Sequence, residues 1–271
     1  MSSEAPARGT DGAQSIRRAL AVLRIVAAGQ ELGVRLVDVV RACGLNRPTA
    51  HRILRVLVEE GACEQDPATR RYLIGGEVAL LGLARRARFP LRGLAEPHLR
   101  ALGESLGDTT FLTIRNGDDS VCLARCVGSY PVKVLSIEVG ARRPLGVGVS
   151  GLVLLASLPE DEMREVVRRN RQRLLAMQID PEELLRRAAR VRRQDHAFAA
   201  VGVVPGSRAV AVPVRDAEGR TVAGIAVATV TARMPASRVP EVVQAMAAEA
   251  AAITAKLAAQ SAGQARPRRR A

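Results

Sequence analysis

The stretch "LNRPTAHRILRVLVEEG", residues 45–61, decides how the first third of the chain is read. Ala50, Ile53, Leu54, Leu57 and Val58 fall at i, i+3, i+4, i+7 and i+8, so the spacing predicts a helix with one buried face. Pro48 suits the first turn, where a missing amide hydrogen would have gone unpaired in any case. The other face holds Arg47, His51, Arg52 and Arg55, and no acidic residue lies between Arg41 and Arg55. Glu59 and Glu60 come only at the end, so positive charge gathers at the front of the helix. Guanidinium groups placed there suit bidentate pairing with phosphates or guanine edges. The competing reading of these residues alone is a solvated amphipathic helix.

Working outward favours the first reading. "QSIRRALAVLRIVAAG", residues 14–29, predicts a preceding helix with Ile16, Leu20, Leu23 and Ala27 on one face, Ser15 as N-cap and Gly29 as the stop. "RLVDVVRACG" predicts a shorter helix presenting Leu36, Val39, Val40 and Cys43. Beyond Gly61, "ACEQ" and "RRYLI" read as two short strands around the turn "DPAT", with Arg70 and Arg71 at the tip and on the returning strand. Three helices and a basic hairpin in this order predict a winged helix-turn-helix, with the third helix in the major groove and the wing against the backbone.

At 271 residues the chain fits two domains of ordinary size. Its formal charge of +14 favours a polyanionic partner. Lys133 and Lys256 are the only lysines, an arginine bias that a GC-rich coding sequence also produces. The N-terminus "MSSEAPARGTDGAQS" has no apolar signal core, and no run approaches the roughly 18 apolar residues of a membrane span. A cytoplasmic protein with no membrane partner is expected. Cys43, Cys63, Cys122 and Cys126 are dispersed, and the C-x3-C spacing of "CLARC" fits neither zinc nor thioredoxin-type motifs. Four reduced thiols, no metal and no cofactor follow as expectations.

The second half reads as an α/β unit. "EVALLGLARRAR" predicts a helix that Phe89 and Pro90 break, and "LRGLAEPHLRALGESLG" another with Ala95, Leu99, Leu102 and Leu106 inward. "TTFLTIR" and "SVCLARCV" flank the hairpin signal "NGDD", and "VKVLSIEVG" predicts a further strand. Helices over 160–169 and 181–193 precede a second hairpin, "SRAVAVPVRDAEGRTVAGIAVATV". A last helix, 240–260, is expected to pack through Val243, Met246, Ala250 and Ile253 before a basic tail, "RPRRR".

From about residue 14 to residue 260 the chain resembles the IclR family of bacterial transcriptional regulators. The N-terminal resemblance rests on "LNRPTAHRILRVLVEEG" followed by "RRYLIGGEVALLG". The C-terminal one rests on "GARRPLGVGVSGLVLLA" and "PGSRAVAVPVRDAEGRTVAGIAVA", and on their order. It implies an α+β fold: an N-terminal winged helix-turn-helix, a linker helix, and a C-terminal α/β GAF-like effector-binding domain. The divisions are then a flexible arm (1–13), the DNA-binding domain (14–75), the linker helix (76–90), the effector domain (91–260) and a basic disordered tail (261–271). It also implies a sequence-specific regulator controlled by a small-molecule effector, acting as a homodimer or dimer of dimers on double-stranded DNA with a palindromic operator. Arg47, Thr49, His51 and Arg52 are the candidates for base edges or nearby phosphates, and Arg55, Arg70 and Arg71 for the backbone.

Chemistry is harder to find. "GVGVSG", residues 146–151, matches G-x-G-x-x-G, but Pro144 interrupts the approach and Pro159 ends the helix too soon for a dinucleotide site. The G-x-S-x-G of a nucleophile elbow fails because Leu152 replaces its second glycine. His51, His98 and His196 assemble no acid-base pair, so no catalytic residue is assigned. A thiol or serine enzyme built on Cys122, Cys126 or Ser150 is the distant alternative, and nonspecific nucleic-acid association the nearer one. A helix N-terminus at residues 150–152 is expected to offer amides to a ligand carboxylate. Where family members place polar effector-binding groups, motif alignment gives Ala199, Ala209, Ala226 and Ala228. Ser150 and Gly151 remain, with Leu145 and Val149 adding apolar surface. An open pocket of this kind favours an apolar or aromatic carboxylate; the alternative is that the alanines fill a closed core.

Overall fold

The computed structural model describes residues 11–83, 91–135, 137–199 and 204–264, and the chain divides into two units between Arg88 and Phe89. The N-terminal unit runs α1 (Asp11–Ala28), a 3-10 turn (Gln30–Leu32), α2 (Leu36–Cys43), α3 (Arg47–Glu59), the hairpin β1 (Cys63–Gln65) and β2 (Tyr72–Ile74), then α4 (Gly76–Leu83). Glycine ends α2 because Gly44 adopts φ +64°, which side chains resist. Asn46 opens α3 by accepting a 2.9 Å hydrogen bond from the Thr49 amide, with Pro48 in the first turn. The hairpin is antiparallel, with Glu64 opposite Leu73, and Asp66 Oδ1 accepts from the Ala68 and Thr69 amides to close its turn.

Val22, Val26, Val39, Ala50, Leu54, Cys63 and Tyr72 form the buried core of this unit. Two expectations for α1 are corrected. The helix begins at Asp11, four residues before Ser15, and its inward face is Val22 and Val26 rather than Ile16 and Leu20, which are 64% and 46% exposed. Between residues 19 and 27 only Arg24 is not apolar, so a 3.6-residue period fits at more than one phase and composition alone does not choose. Of the expected linker helix, α4 covers the first part; residues 84–90 lie outside the described ones. The expected arm and tail lie largely outside them too.

The C-terminal unit contains α5 (Leu91–Leu106), β3 (Thr109–Asn116), β4 (Asp119–Cys126), β5 (Arg142–Pro144), α6 (Gly148–Ala156), α7 (Glu160–Arg169), α8 (Arg171–Ala176), α9 (Pro181–Gln194), β6 (Ala197–Ala199), β7 (Ser207–Arg215), β8 (Thr221–Val230) and α10 (Val239–Gln264). Its six strands form one antiparallel sheet in the order β5-β4-β3-β8-β7-β6. Side chains alternate between the two faces of such a sheet. Leu112, Val210, Val212, Ile225 and Val227 join Leu99, Leu102, Met246 and Ile253 of α5 and α10 on one face. Phe111, Cys122, Ala226 and Ala228 face the layer of α6 to α9 on the other. Bulky residues thus fill one face and small ones line the second.

The predicted strand over 132–140 does not form. Instead the Gly140 amide donates to the Cys122 carbonyl and Ala141 turns back on Glu138, which brings Arg142–Pro144 to the edge of β4. Val134 is buried and Ile137 and Val139 are partly so, which satisfies the apolar alternation without a ladder. β6 was not anticipated; three residues are too few to show a period. The window Ala236–Gln260 is long and apolar enough to span a bilayer, owing to its alanines, yet Val242, Met246, Ala250 and Ile253 bury in the domain core. Val243, the residue expected on that face, is only partly buried.

Candidate DNA-binding surface and effector cavity

The structure divides the seven basic and polar candidates of the N-terminal unit into groups. Arg47, His51 and Arg70 line one open groove together with Arg35, Gln65 and Thr69, so the front of α3 and the tip of the wing share a surface. Arg70 sits at φ +58°, with its carbonyl accepting from the Gln65 side chain. Thr49 and Arg52 belong to a different groove, shared with Ser15, Ile16 and Arg18 of α1. Arg55 is exposed and pairs with Glu59 at 3.4 Å, an i,i+4 contact worth a few tenths of a kcal/mol. Arg71 is different again: its Nη1 donates to the carbonyls of Gly33 (3.1 Å) and Leu32 (3.4 Å), tying the wing to the 3-10 turn. Arg35, which the helix pattern gave no reason to select, joins the groove while paired with Asp38 at 3.1 Å.

In the C-terminal unit a cavity of about 350 Å³ opens between the small-residue face of the sheet and the helices. Val149, Ser150, Gly151, Ala199, Ala209, Ala226 and Ala228 all line it. Strand register explains the grouping, because Ala228 pairs with Ala209, which in turn pairs with Ala199, and Ala226 lies between Phe111 and Ala211. Leu145 does not line it; fully buried, it packs in the surrounding core, its amide donating to the Asp118 carbonyl. The helix beside the cavity starts at Gly148, two residues earlier than expected, with Val147 as a cap that offers no side-chain acceptor. The N-terminal amides of α6 are therefore those of Gly148, Val149 and Ser150, at the positive end of the helix dipole.

Sequence reasoning missed several lining residues. Phe111 and Thr113 come from β3, Arg143 from β5 and Arg187 from α9. Thr113 is 4% exposed and its hydroxyl has no hydrogen-bond partner. Ser120 Oγ donates to the Arg143 carbonyl at 3.4 Å and Ser207 Oγ to Val204 at 2.6 Å. Burial lowers the pKa of Arg143, with Cys122 acting in the opposite direction. No aspartate or glutamate lines the cavity among the described residues. Arg143 stands inside the "GARRPLGVGVSG" motif, beside residues with a plainer signal, whereas Arg187 belongs to the run "ELLRRAARVRRQ", where nothing local distinguishes it.

Family comparison fits both units. The model for the bacterial transcriptional regulator IclR C-terminal domain matches residues 86–255, and that for the IclR helix-turn-helix domain residues 15–67. The chain belongs to the IclR family. It is a transcriptional regulator with a helix-turn-helix DNA-binding domain and a C-terminal effector domain. The HTH-type transcriptional regulator BhcR of Paracoccus denitrificans is 29% identical over 234 residues, covering 86% of this chain and 83% of the relative. An IclR transcriptional regulator from Alicyclobacillus acidocaldarius superposes with a TM-score of 0.70 at 25% identity, covering 89% of this chain and 98% of that one. An IclR homologue from Microbacterium hydrocarbonoxydans, in complex with 4-hydroxybenzoate, shares the fold with a TM-score of 0.68 at 23% identity, covering 90% and 98%.

Cys122 gives this regulator a pH dependence that can be measured. Burial pushes its thiol from the ordinary 9.0 up to about 11, the dominant cause among those acting on it. A raised folded pKa contributes stability that is whole below pH 9.0 and is lost as pH rises toward about 11. Denaturant midpoints of the C-terminal unit should fall over that window, and Cys122→Ala should flatten the fall. An unchanged slope in the variant would place the titration elsewhere.

Proposed function

We propose that this bacterial regulator reads its operator with α3 and the wing, and that a small organic acid with a compact apolar body, held in the C-terminal cavity, alters operator affinity. What carries this is the cavity itself. It stays open although its floor is alanine, and it is lined by guanidinium groups and a helix N-terminus. A flat apolar body meets Phe111 and the alanines, and a carboxylate meets the α6 amides. The 4-hydroxybenzoate bound by the Microbacterium homologue is an acid of this kind. Cys122, largely a protonated thiol at neutral pH, is a poor nucleophile, which supports a ligand-binding role over catalysis.

On the DNA side, the groove shared by Arg47, His51 and Arg70 is the surface for a major groove and its flanking phosphates. The exposed Ile16 and Leu20 of α1 support a homodimer through the N-terminal units, and two-fold symmetry would match a palindromic operator in the cytoplasm. Footprinting on DNA upstream of the regulator's own and neighbouring genes, with unrelated DNA as competitor, tests specific against nonspecific binding. Arg47→Ala or Arg52→Ala should cost about 1–3 kcal/mol and relax base preference at one position. Arg70→Ala should weaken many sequences alike and lower the salt slope by about one. Arg71→Ala should lower the stability of the free N-terminal unit by about 1 kcal/mol, because its carbonyl contacts are lost even without DNA. Unchanged binding in Arg47→Ala, Arg52→Ala and Arg70→Ala rejects this docking; an unchanged melting point for Arg71→Ala returns that residue to the phosphate contacts.

A further inference from the structure

The charge of the cavity exceeds what one carboxylate needs. Arg143 and Arg187 enter it from β5 and α9, the positive end of α6 adds to them, and no acidic side chain among the described residues lines the wall. The arginines of α9 show how selective this is. Arg186 pairs with Glu183 at 2.9 Å, Arg190 with Glu183 at 3.1 Å, and Arg192 donates to the carbonyls of Ala156 and Leu158. Glu183 stands four residues before Arg187, the favoured spacing for an ion pair, yet its two oxygens are taken by Arg186 and Arg190. Arg187 is half-buried, lines the cavity, and makes no hydrogen bond or ion pair with any described residue.

We propose that the effector carries two anionic groups and that Arg187 is the residue that selects for the second. The inference rests on the effector role of the cavity stated above. A monoacid seated against α6 would exclude water from the wall while leaving a guanidinium facing an apolar ligand body, which is costly for a cation cut off from solvent without a partner. A dicarboxylate removes that cost, because a second carboxylate accepts from the planar fork of an arginine. The Thr113 hydroxyl, buried without a partner, supplies a further donor on the same wall. Phe111 and the alanine floor favour a carbon ring or short apolar chain between the two acids over a sugar phosphate, and about 350 Å³ limits it to a compact one.

The test is a set of dissociation constants, from ligand-induced thermal stabilisation and calorimetry of the full chain. Benzoate, the three benzene dicarboxylates, glycerol 3-phosphate and inorganic phosphate would be compared on the wild type, Arg187→Gln and Arg187→Lys. At least one dicarboxylate should bind the wild type tenfold or more tightly than benzoate. Arg187→Gln should remove that advantage while leaving benzoate within about twofold, and Arg187→Lys, which keeps the charge, should restore part of it. Benzoate binding as well as every dicarboxylate, or Arg187→Gln weakening both classes equally, overturns the two-anion inference while the effector cavity stands. Tightest binding by the phosphate compounds overturns the dicarboxylate class. If none of these acids binds, the effector role of the cavity fails and the inference with it.

Discussion

Leu54→Ala should cost the N-terminal unit about 2–5 kcal/mol and abolish operator binding at growth temperature. Leu54 is completely buried, and among the described residues six others share that buried core with it, ringed by partly buried side chains such as Ile53 and Leu57. A core that small has no neighbours to spare for collapse into the space left behind. Domains of ordinary size hold only about 5–15 kcal/mol in total, so a loss of this size populates the unfolded unit. α3 is the element most affected, since Ala50 and Leu54 are its fully buried anchors. The measurement is a two-transition melt followed by circular dichroism, together with operator affinity. The C-terminal transition should stay in place while the N-terminal one moves down. Operator binding at wild-type affinity would mean that the core around Leu54 does not hold the DNA-reading helix in position.

The elements that were legible in the sequence are those where one physical requirement acts alone. α3 has a proline in its first turn and an apolar period, and the structure realises both as far as Leu57; Val58, expected on the same face, is exposed because it lies at the helix end, beyond the packed core. The β3–β4 hairpin turns at Gly117, with φ +63°, where the "NGDD" signal put it. α1 was recognised as a helix but begins four residues earlier than its expected cap and is rotated about its axis, because a run of nearly continuous apolar residues fits several faces. Residues 132–140 alternate like a strand and yet pack as a loop, since edge pairing with β4 was taken by a later segment, and no local pattern records that competition. The cavity divides in the same way. Its floor was legible through the resemblance to the family, whose motifs carry over to Ala199, Ala209, Ala226 and Ala228, and strand register brings those four together. Its charge was not, because Arg187 differs from Arg186 and Arg190 only in the direction it leaves the helix.

Ala226→Phe should erase the response to any acid bound in the cavity while leaving DNA binding by the ligand-free protein intact. Ala226 is 4% exposed and lies in the middle of the sheet, paired with Phe111 on one side and Ala211 on the other. A phenyl ring built there enters space that a ligand would use. Placing a ring in a filled core costs about 1–3 kcal/mol through forced rotamers and backbone shifts. Here the open volume of about 350 Å³ accommodates it, so the variant should melt within a few degrees of the wild type. A ligand at about 100 times its dissociation constant stabilises the wild type by about 2.7 kcal/mol, and the whole of that increment should vanish. Ile225→Ala is the control. Its side chain belongs to the opposite face, against α5 and α10, so it should lower the melting point without removing the ligand increment. The two variants separate occlusion from loosening, two ways of losing a response that a single melting point confuses. If Ala226→Phe keeps its full ligand increment, the acid binds elsewhere; if it melts far below Ile225→Ala, the space beside Ala226 was never open.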